Sequence, residues 1–364
     1  MKLRYYISGH GLGHVSRSCQ IIATLHQNHP EIDIDVSSPA QKWFLDAMLG
    51  GVPVVSTEPW DIGVVQRDSL VIDYPGTIKT CEELLRSRSE RIAREAASLS
   101  EARVDLVACD IPAMPCAAAA AAGLPAFAIG NFSWDWIYNG LASHYSPLEK
   151  EFKRLATLFA DDYRHATLLQ LPFAAPAENF RSCEAMPLVA RHARQSREQT
   201  CERLAIASDR KIGLISFGGF GLENFDFSSL ASMNDWVFIT ERDLGSSAPN
   251  IVSLINGHYF YPDLVAAADV VITKPGYGIV SEAIANHSAV LYTSRGDFPE
   301  EPLLIEGLQK YTRCREISNQ KLRCGDWYDS LEALLAQPDA TATLPTYGAE
   351  AIARRLAESV GVGT

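Results

Sequence analysis

The sequence predicts an α/β chain built as two doubly wound parallel sheets that face each other across a cleft. Three observations carry this expectation. The chain has 364 residues, which fits two domains at roughly 100–200 residues each. Short β-rich runs alternate with stretches of helical apolar spacing, the pattern of parallel strands joined by crossover helices. The alternation pauses once, at a stretch punctuated by Pro172, Pro176 and Pro187, and then restarts.

The elements follow in order. Residues 3–8 are β-rich and end at a glycine, and residues 15–28 place Ile21, Ile22 and Leu25 on one helical face. A strand at 32–37, a helix at 40–49 and a strand at 52–56 come next. Residues 77–100 are long, charged and helix-rich, with Leu84 and Leu85 set among Glu82, Glu83, Arg88 and Arg91. A strand at 104–110, an alanine-rich helix at 113–122 and a strand at 126–130 complete an N-terminal domain of residues 1–171. Residues 172–187 read as a linker, and 188–345 as the second domain. Its strands are expected at 211–217, 236–240, 250–254, 270–273 and 289–293, and its helices at 261–268 and 279–286. An amphipathic helix at 347–360 dominates residues 346–364 and is expected to pack back on the N-terminal domain.

Composition narrows the function. Hydrophobic residues make up 47% and charged residues 21%, an ordinary globular balance that excludes disorder, collagen and coiled coil. A formal net charge of −12 argues against a nucleic-acid partner or an anionic membrane surface. It leaves room for one phosphate pocket, because helix-start amides bind anions without a lysine. The first residues show no signal-peptide pattern, and no run reaches the ~18 apolar residues of a membrane span. A cytoplasmic chain without a transmembrane segment is expected. The eight cysteines include no Cys-x-x-Cys pair and read as reduced thiols.

Ligands of open α/β sheets bind beyond the carboxyl ends of the strands, and three segments there carry unusual residues. Gly9-His10-Gly11-Leu12-Gly13-His14 follows the first strand and opens the first helix. Its Gly-x-Gly-x-Gly spacing, and a second strand ending in Ser37-Ser38 where a ribose-binding acid would be needed, disfavour a dinucleotide. His14, at a helix start facing the cleft, is a candidate general base. Helix capping by His14 and loop packing by His10 are the plainer alternatives. A His10–His14 metal pair is not expected, since the two sit in a glycine loop and not on one helix face. Asp33 and Asp35 lie within a strand and read as face alternation.

The second segment, Ser216-Phe217-Gly218-Gly219, occupies the same relative place in the second half. The third runs from Lys274 through Gly276, Tyr277, Gly278 and Ser281 to Glu282. Amides of Tyr277, Gly278 and Ile279 would face an anion in front of the helix, and Lys274 would add a charge. Glu282, one turn in, is placed to accept ribose hydroxyls. Asp297, Glu300 and Glu301 follow the next strand as candidate binders of sugar hydroxyls. A solvated acidic loop is the alternative.

Together these segments resemble GT-B glycosyltransferases. The Gly276, Gly278, Ser281, Glu282 pattern and the run Ala-Ile-Ala-Asn-His-Ser-Ala-Val-Leu after it are similar to the donor domain of the peptidoglycan N-acetylglucosaminyltransferase family. The Gly-x-Gly-x-Gly-His loop resembles that superfamily's acceptor-side loop, with His14 on its base histidine. A nearer likeness, over almost the whole chain, is to the glycosyltransferase-like N-terminal region of L-arabinokinases. It is carried by Tyr-Tyr-Ile-Ser-Gly-His-Gly-Leu-Gly-His, Cys-Asp-Ile-Pro, Asn-Phe-Ser-Trp-Asp-Trp-Ile-Tyr, Lys-Pro-Gly-Tyr-Gly-Ile-Val-Ser-Glu and Tyr-Thr-Ser-Arg-Gly-Asp-Phe-Pro-Glu. No Gly-Leu-Ser-Ser-Ser kinase loop is present, so kinase activity is not implied. The Glu300-Glu301 pair departs from the glutamine-rich residues of the peptidoglycan enzymes.

The resemblance implies a GT-B fold of two Rossmann-like domains and metal-independent transfer, with inversion, from a nucleotide diphosphate sugar, UDP being expected. His14 would take the acceptor proton and Asp110 would orient it. Donor contacts would come from Ser216, Gly218, Gly219, His258, Lys274, Gly276, Tyr277, Gly278, Ser281, Glu282, Asp297 and Glu300. His10, Gly11, Gly13, Trp134 and Asp135 would lie on the acceptor side, with Trp134 and Trp136 as aromatic faces for a sugar ring. No cofactor or metal is expected, and the acceptor is left open. A nucleotide-sugar epimerase and a non-catalytic sugar-nucleotide sensor are the rival readings.

Overall fold

The computed structural model describes residues 1–68, 70–218, 225–241, 248–254 and 259–362. The first half runs β1 (Lys2–Ile7), α1 (Leu12–Asn28), β2 (Asp33–Ser37), α2 (Lys42–Leu49), β3 (Val54–Ser56) and a hairpin of β4 (Gln66–Asp68) and β5 (Val71–Ile72). It continues with α3 (Tyr74–Leu85), α4 (Arg88–Glu101), β6 (Leu106–Asp110), α5 (Met114–Ala121), β7 (Ala126–Gly130), α6 (Trp134–His144), α7 (Glu149–Tyr163), β8 (Thr167–Gln170) and β9 (Ser182–Ala185). The second half holds α8 (Arg197–Arg203), β10 (Lys211–Ser216), β11 (Trp236–Thr240), β12 (Ile251–Ser253), α9 (Tyr261–Ala267), β13 (Val270–Thr273) and α10 (Tyr277–Ala285). Then come β14 (Ala289–Tyr292), α11 (Glu301–Tyr311), β15 (Cys314–Glu316), α12 (Asn319–Arg323), α13 (Tyr328–Leu335) and α14 (Gly348–Ser359).

Two parallel sheets result, in the orders β3-β2-β1-β6-β7-β8-β9 and β12-β11-β10-β13-β14-β15. Strands β6, β7, β11, β13 and β14 are buried at every residue. Helices cover both sheet faces, which is why these strands read as unbroken apolar runs. In each sheet the first strand has neighbours on both sides, β2 and β6 around β1, and β11 and β13 around β10. The strand order reverses there, and a crevice opens between the loops that leave the two strands.

Several features differ from the sequence expectation, among them the helices α6 and α7 and the sixth strand β15 of the second sheet. Residues 172–187 are more than a linker, because β9 lies within them and pairs with β8 as the edge of the first sheet. Residues 77–100 divide into α3 and α4, with Asp73 capping α3 through the Gly76 amide at 3.0 Å. Asp135 lies in the first turn of α6.

A continuous apolar core joins the two halves. Leu3, Ile22, Leu106 and Ile129 of the first half pack in one cluster with Val280, Val290, Leu304 and Leu308 of the second. Ile352 and Leu356 of α14 belong to the same cluster, and Arg355 of α14 pairs with Glu184 of β9 at 2.7 Å. Among the described residues no helix is long and apolar enough to cross a membrane. All eight cysteines are free thiols.

Candidate active site

The first site element begins where β1 ends. Ile7 pairs with Asp110, so the Ser8–Gly11 loop leaves the sheet beside the end of β6. Gly11, at φ 75°, caps α1 in a conformation that favours glycine. One turn of α1 then aims His14, Arg17 and Ser18 back at Asp110, since residues three and four apart share a helical face. His14 Nδ1 lies 2.8 Å from Asp110 Oδ1. Arg17 donates from Nε to Oδ2 at 2.7 Å and from Nη2 to Oδ1 at 2.6 Å, and Ser18 Oγ donates to Oδ2 at 2.8 Å.

Asp110 is fully buried. Burial pushes its carboxyl up, but the Arg17 guanidinium and His14 outweigh that and hold it down at about 2. An ionised carboxylate only accepts, so His14 Nδ1 donates this contact, and in the neutral imidazole the lone pair then lies on Nε2; Arg17 Nη2 also lies 3.0 Å from Nδ1. Phe132 and Trp134 wall the imidazole, at ring distances of 5.8 and 6.2 Å. Burial, with His14, Arg295 and Lys274 close by, holds neighbouring His10 well below the usual histidine range.

The second site element faces the first across the crevice. Gly276 caps α10, whose first amides, those of Tyr277, Gly278 and Ile279, have no acceptor within the helix. The starts of α1 and α10 nearly touch. A Cβ placed on Gly278 would lie 3.4 Å from Gly13 Cα, and one on Gly13 would lie 3.8 Å from Gly278 N, so the two helix starts are in van der Waals reach. Among the described residues, a Cβ on Gly11, Gly218 or Gly276 would meet nothing within 4 Å.

No protein-family model matches the chain. It is 29% identical over 332 residues to an L-arabinokinase of Arabidopsis thaliana, covering 90% of this chain and 31% of that protein. The chain therefore spans about a third of the length of this curated relative. Among solved structures it is similar to the kitacinnamycin glycosyltransferase, with TM-score 0.64 and 15% identity over 99% of this chain and 96% of that one. It is also similar to LpCGTa in complex with UDP, with TM-score 0.61 and 14% identity over 99% and 94%. The chain has the GT-B glycosyltransferase fold.

Within this GT-B frame the remaining candidate residues fall into several groups. Gly219 and His258 lie outside the described residues. Ser216 Oγ accepts from the Tyr261 hydroxyl. Ser281 is buried, and its hydroxyl donates to the Tyr277 carbonyl of its own helix at 2.7 Å. Glu282 is buried, and its Oε1 accepts from Arg191 Nε at 2.6 Å. Asp297 accepts from the Tyr74 hydroxyl at 2.8 Å, and Glu300 from Asn131 Nδ2 at 2.8 Å. Both acids thus bridge to the first half.

The reading of Trp134 as a face for a sugar ring is corrected. The ring is fully buried, and its Nε1 donates to Asp61 Oδ2 at 2.7 Å. Trp136 is the partly exposed aromatic, beside Asp297 and Phe298 in a cavity of about 750 Å³ between α6 and α11. Asp135 is buried and accepts from Asn179 at 2.6 Å. Among the described residues no group of three or more His, Cys, Asp or Glu side chains is placed to hold a metal ion.

Sequence reading missed Arg17, Asn131, Asp61 and Arg295. Arg17 carried a signal, since it lies three residues after His14 on a helix. Asn131 carried none, because its contacts, Arg17 Nη1 at 3.3 Å and Glu300, come from distant segments. Asp61 is buried, accepts from Ser8 Oγ at 2.9 Å, and is raised to about 6 by burial against the opposing Trp134 and Ser8 hydrogen bonds.

Proposed function

We propose that the chain is a glycosyltransferase that moves a sugar from a nucleotide diphosphate sugar to an acceptor hydroxyl with inversion. The observation that carries this reading is the His14–Asp110 pair, 2.8 Å apart and directly across the crevice from the open start of α10. The diphosphate lies against the amides of Tyr277, Gly278 and Ile279. Ser216 and Gly218 border it from the end of β10, and Gly219 and His258 are kept as donor contacts on the sequence pattern alone. UDP is the leading nucleotide, supported by the UDP complex of the similar LpCGTa structure. Glu282 serves the ribose by exchanging its Arg191 contact for hydroxyls, and Asp297 and Glu300 serve the donor sugar.

The acceptor hydroxyl approaches His14 from the first half, beside His10, Gly11 and Gly13. Its proton passes to His14 Nε2 while Asp110 steadies the Nδ1 proton. The acceptor oxygen attacks the anomeric carbon opposite the diphosphate, which departs.

The test is a thermal-shift and calorimetric screen of nucleotide diphosphates, because a ligand that binds only the folded chain raises its stability. UDP-sugar turnover is then assayed with acceptor extracts on wild type and His14→Ala. The expected result is selective stabilisation by one nucleotide, and turnover in wild type that His14→Ala loses while keeping nucleotide affinity within about threefold. Turnover unchanged in His14→Ala would remove the base assignment. An epimer formed from donor and enzyme alone would replace transfer by epimerisation.

A further inference from the structure

A chain of buried polar groups crosses from the first half to the second. It starts at the end of β6, where Asp110 holds Arg17. Arg17 Nη1 donates to Asn131 Oδ1 at 3.3 Å, and Asn131 Nδ2 donates to Glu300 Oε1 at 2.8 Å. Glu300 Oε2 lies 3.4 Å from Arg295 Nη1, which also donates to the Pro275 carbonyl at 3.0 Å, immediately before the cap of α10. Asn131 follows β7, the sheet neighbour of β6, and Glu300 precedes the first turn of α11 in the other half. The Asn131 side chain is fully buried and bonded at both ends. A guanidinium only donates and a carboxylate only accepts, so the amide fits one way round. Asn131 thus joins two buried ion pairs, Asp110–Arg17 and Glu300–Arg295, across the meeting of the halves.

We infer that Asn131 is a positioning residue for the transfer reaction, holding the His14 base in register with Glu300 on the donor-sugar side. This rests on the glycosyl-transfer reading. Arg17 is the lever. Its Nε and Nη2 grip Asp110, its Nη2 lies 3.0 Å from His14 Nδ1, and its guanidinium lies over the Tyr277 ring of α10 at 4.9 Å. Asn131 takes the remaining nitrogen, Nη1, and so fixes the plane of the fork. A turn of that fork would draw Asp110 off His14 Nδ1 and release the imidazole. On the other side, a carboxylate has about four acceptor sites, so Glu300 can keep Asn131 and still take a sugar hydroxyl. The support of the base thus includes a group from each half.

The polarity of this link can be reversed. Asn131→Asp changes one group and sets two carboxylates face to face. Like charges that close cannot both stay ionised, so the pair shares one proton. That proton stands in for the amide N–H at low pH and is lost as pH rises. The groups that face the pair are His14 and Arg17 of α1, Asp110 of β6, Tyr277 of α10, Lys274 after β13 and Arg295 after β14. All of them are unchanged in wild type, which is the reference at each pH. Adding Glu300→Gln restores one donor and one acceptor with the direction reversed, and the shared proton is no longer needed.

The experiment follows UDP-sugar turnover with acceptor extract, UDP affinity by calorimetry, the His14 ring signal by NMR and the melting temperature, at pH 6 and 8. Wild type is compared with Asn131→Leu, Asn131→Asp and the Asn131→Asp/Glu300→Gln pair. Asn131→Asp is expected to lose turnover at least about tenfold at pH 8 and to come within about threefold of wild type at pH 6, since a misplaced base slows the step. Its UDP affinity should stay near that of wild type at both. Its His14 signal should shift at pH 8 and return at pH 6. The pair should hold one ratio to wild-type turnover at both pH values, with the His14 signal restored. Asn131→Leu should lose turnover at both, and Asn131→Asp covers the case in which it does not fold. Turnover and His14 signal unchanged in Asn131→Asp at pH 8 would overturn the assignment. So would a lower melting temperature alone, with turnover per folded molecule and the His14 signal unmoved, which would make Asn131 a structural link only. The expected His14 pattern in a chain that transfers no sugar would keep Asn131 as the positioning residue of His14 and remove glycosyl transfer as its reaction.

Discussion

Asp110 accepts from Arg17 and Ser18 and meets His14 while fully buried. Its charge is therefore structural as well as chemical. Asp110→Asn leaves the buried Arg17 guanidinium without its counter-ion, at a cost of about 3–5 kcal/mol. A thermal melt is expected to show that loss together with loss of turnover. A carboxyl held at about 2 sits below its ordinary value of ~3.9, so the stability it contributes is complete above pH ~4. That stability is lost as pH falls toward 2, and acid unfolding followed by tryptophan fluorescence should be less steep in Asp110→Asn. Lys274 acts in the opposite sense. Its amine at about 7 makes the buried charge a full cost below pH 7, and the cost fades toward the ordinary ~10.4. Lys274→Met should therefore melt higher than wild type without ligand, most clearly below pH 7. At this scale His14 and Asp110 were legible in the sequence because each marks the end of a strand or the start of a helix. Trp134 was misread because its composition signal, an aromatic beside an acid, is the same for a buried wall and an exposed face.

Elements carry the next set of constraints. Gly63 takes φ +61°, and a Cβ there would fall 2.4 Å from His10 Cγ. Gly63→Ala should displace the His10 ring and lower the melting temperature, and NMR of the histidine ring protons would report the shift; an unmoved His10 signal would count against this packing. The strands that read most clearly were β7, β11 and β13, whose residues are buried throughout. Strand β9 was missed because it is an edge, largely exposed, with no apolar run to announce it. Helix α7 carried a usable signal, Phe152, Leu155, Ala156 and Phe159 at helical spacing, all buried. The break between α3 and α4 was not visible, since both helices share the same charged, leucine-bearing character.

The whole molecule behaves as two sheets with one continuous core. Because α10, α11 and α14 pack in the same cluster as α1 and the first sheet, the halves should unfold together. Scanning calorimetry is expected to show a single transition, and two resolved transitions would contradict this coupling. Leu356→Ala removes a fully buried side chain of α14 and should destabilise that single transition by about 2–5 kcal/mol. Two sheets, three glycine-rich loops and a terminal amphipathic helix were determined by the sequence itself, because periodicity and glycine placement are local properties of a chain. Only the tertiary structure decided that Arg17 completes the Asp110 cluster, that Asn131 reaches Glu300, and that Arg295 closes on the start of α10. Those contacts depend on which strand ends become neighbours and on how the two halves meet, and burial of the shared core sets both.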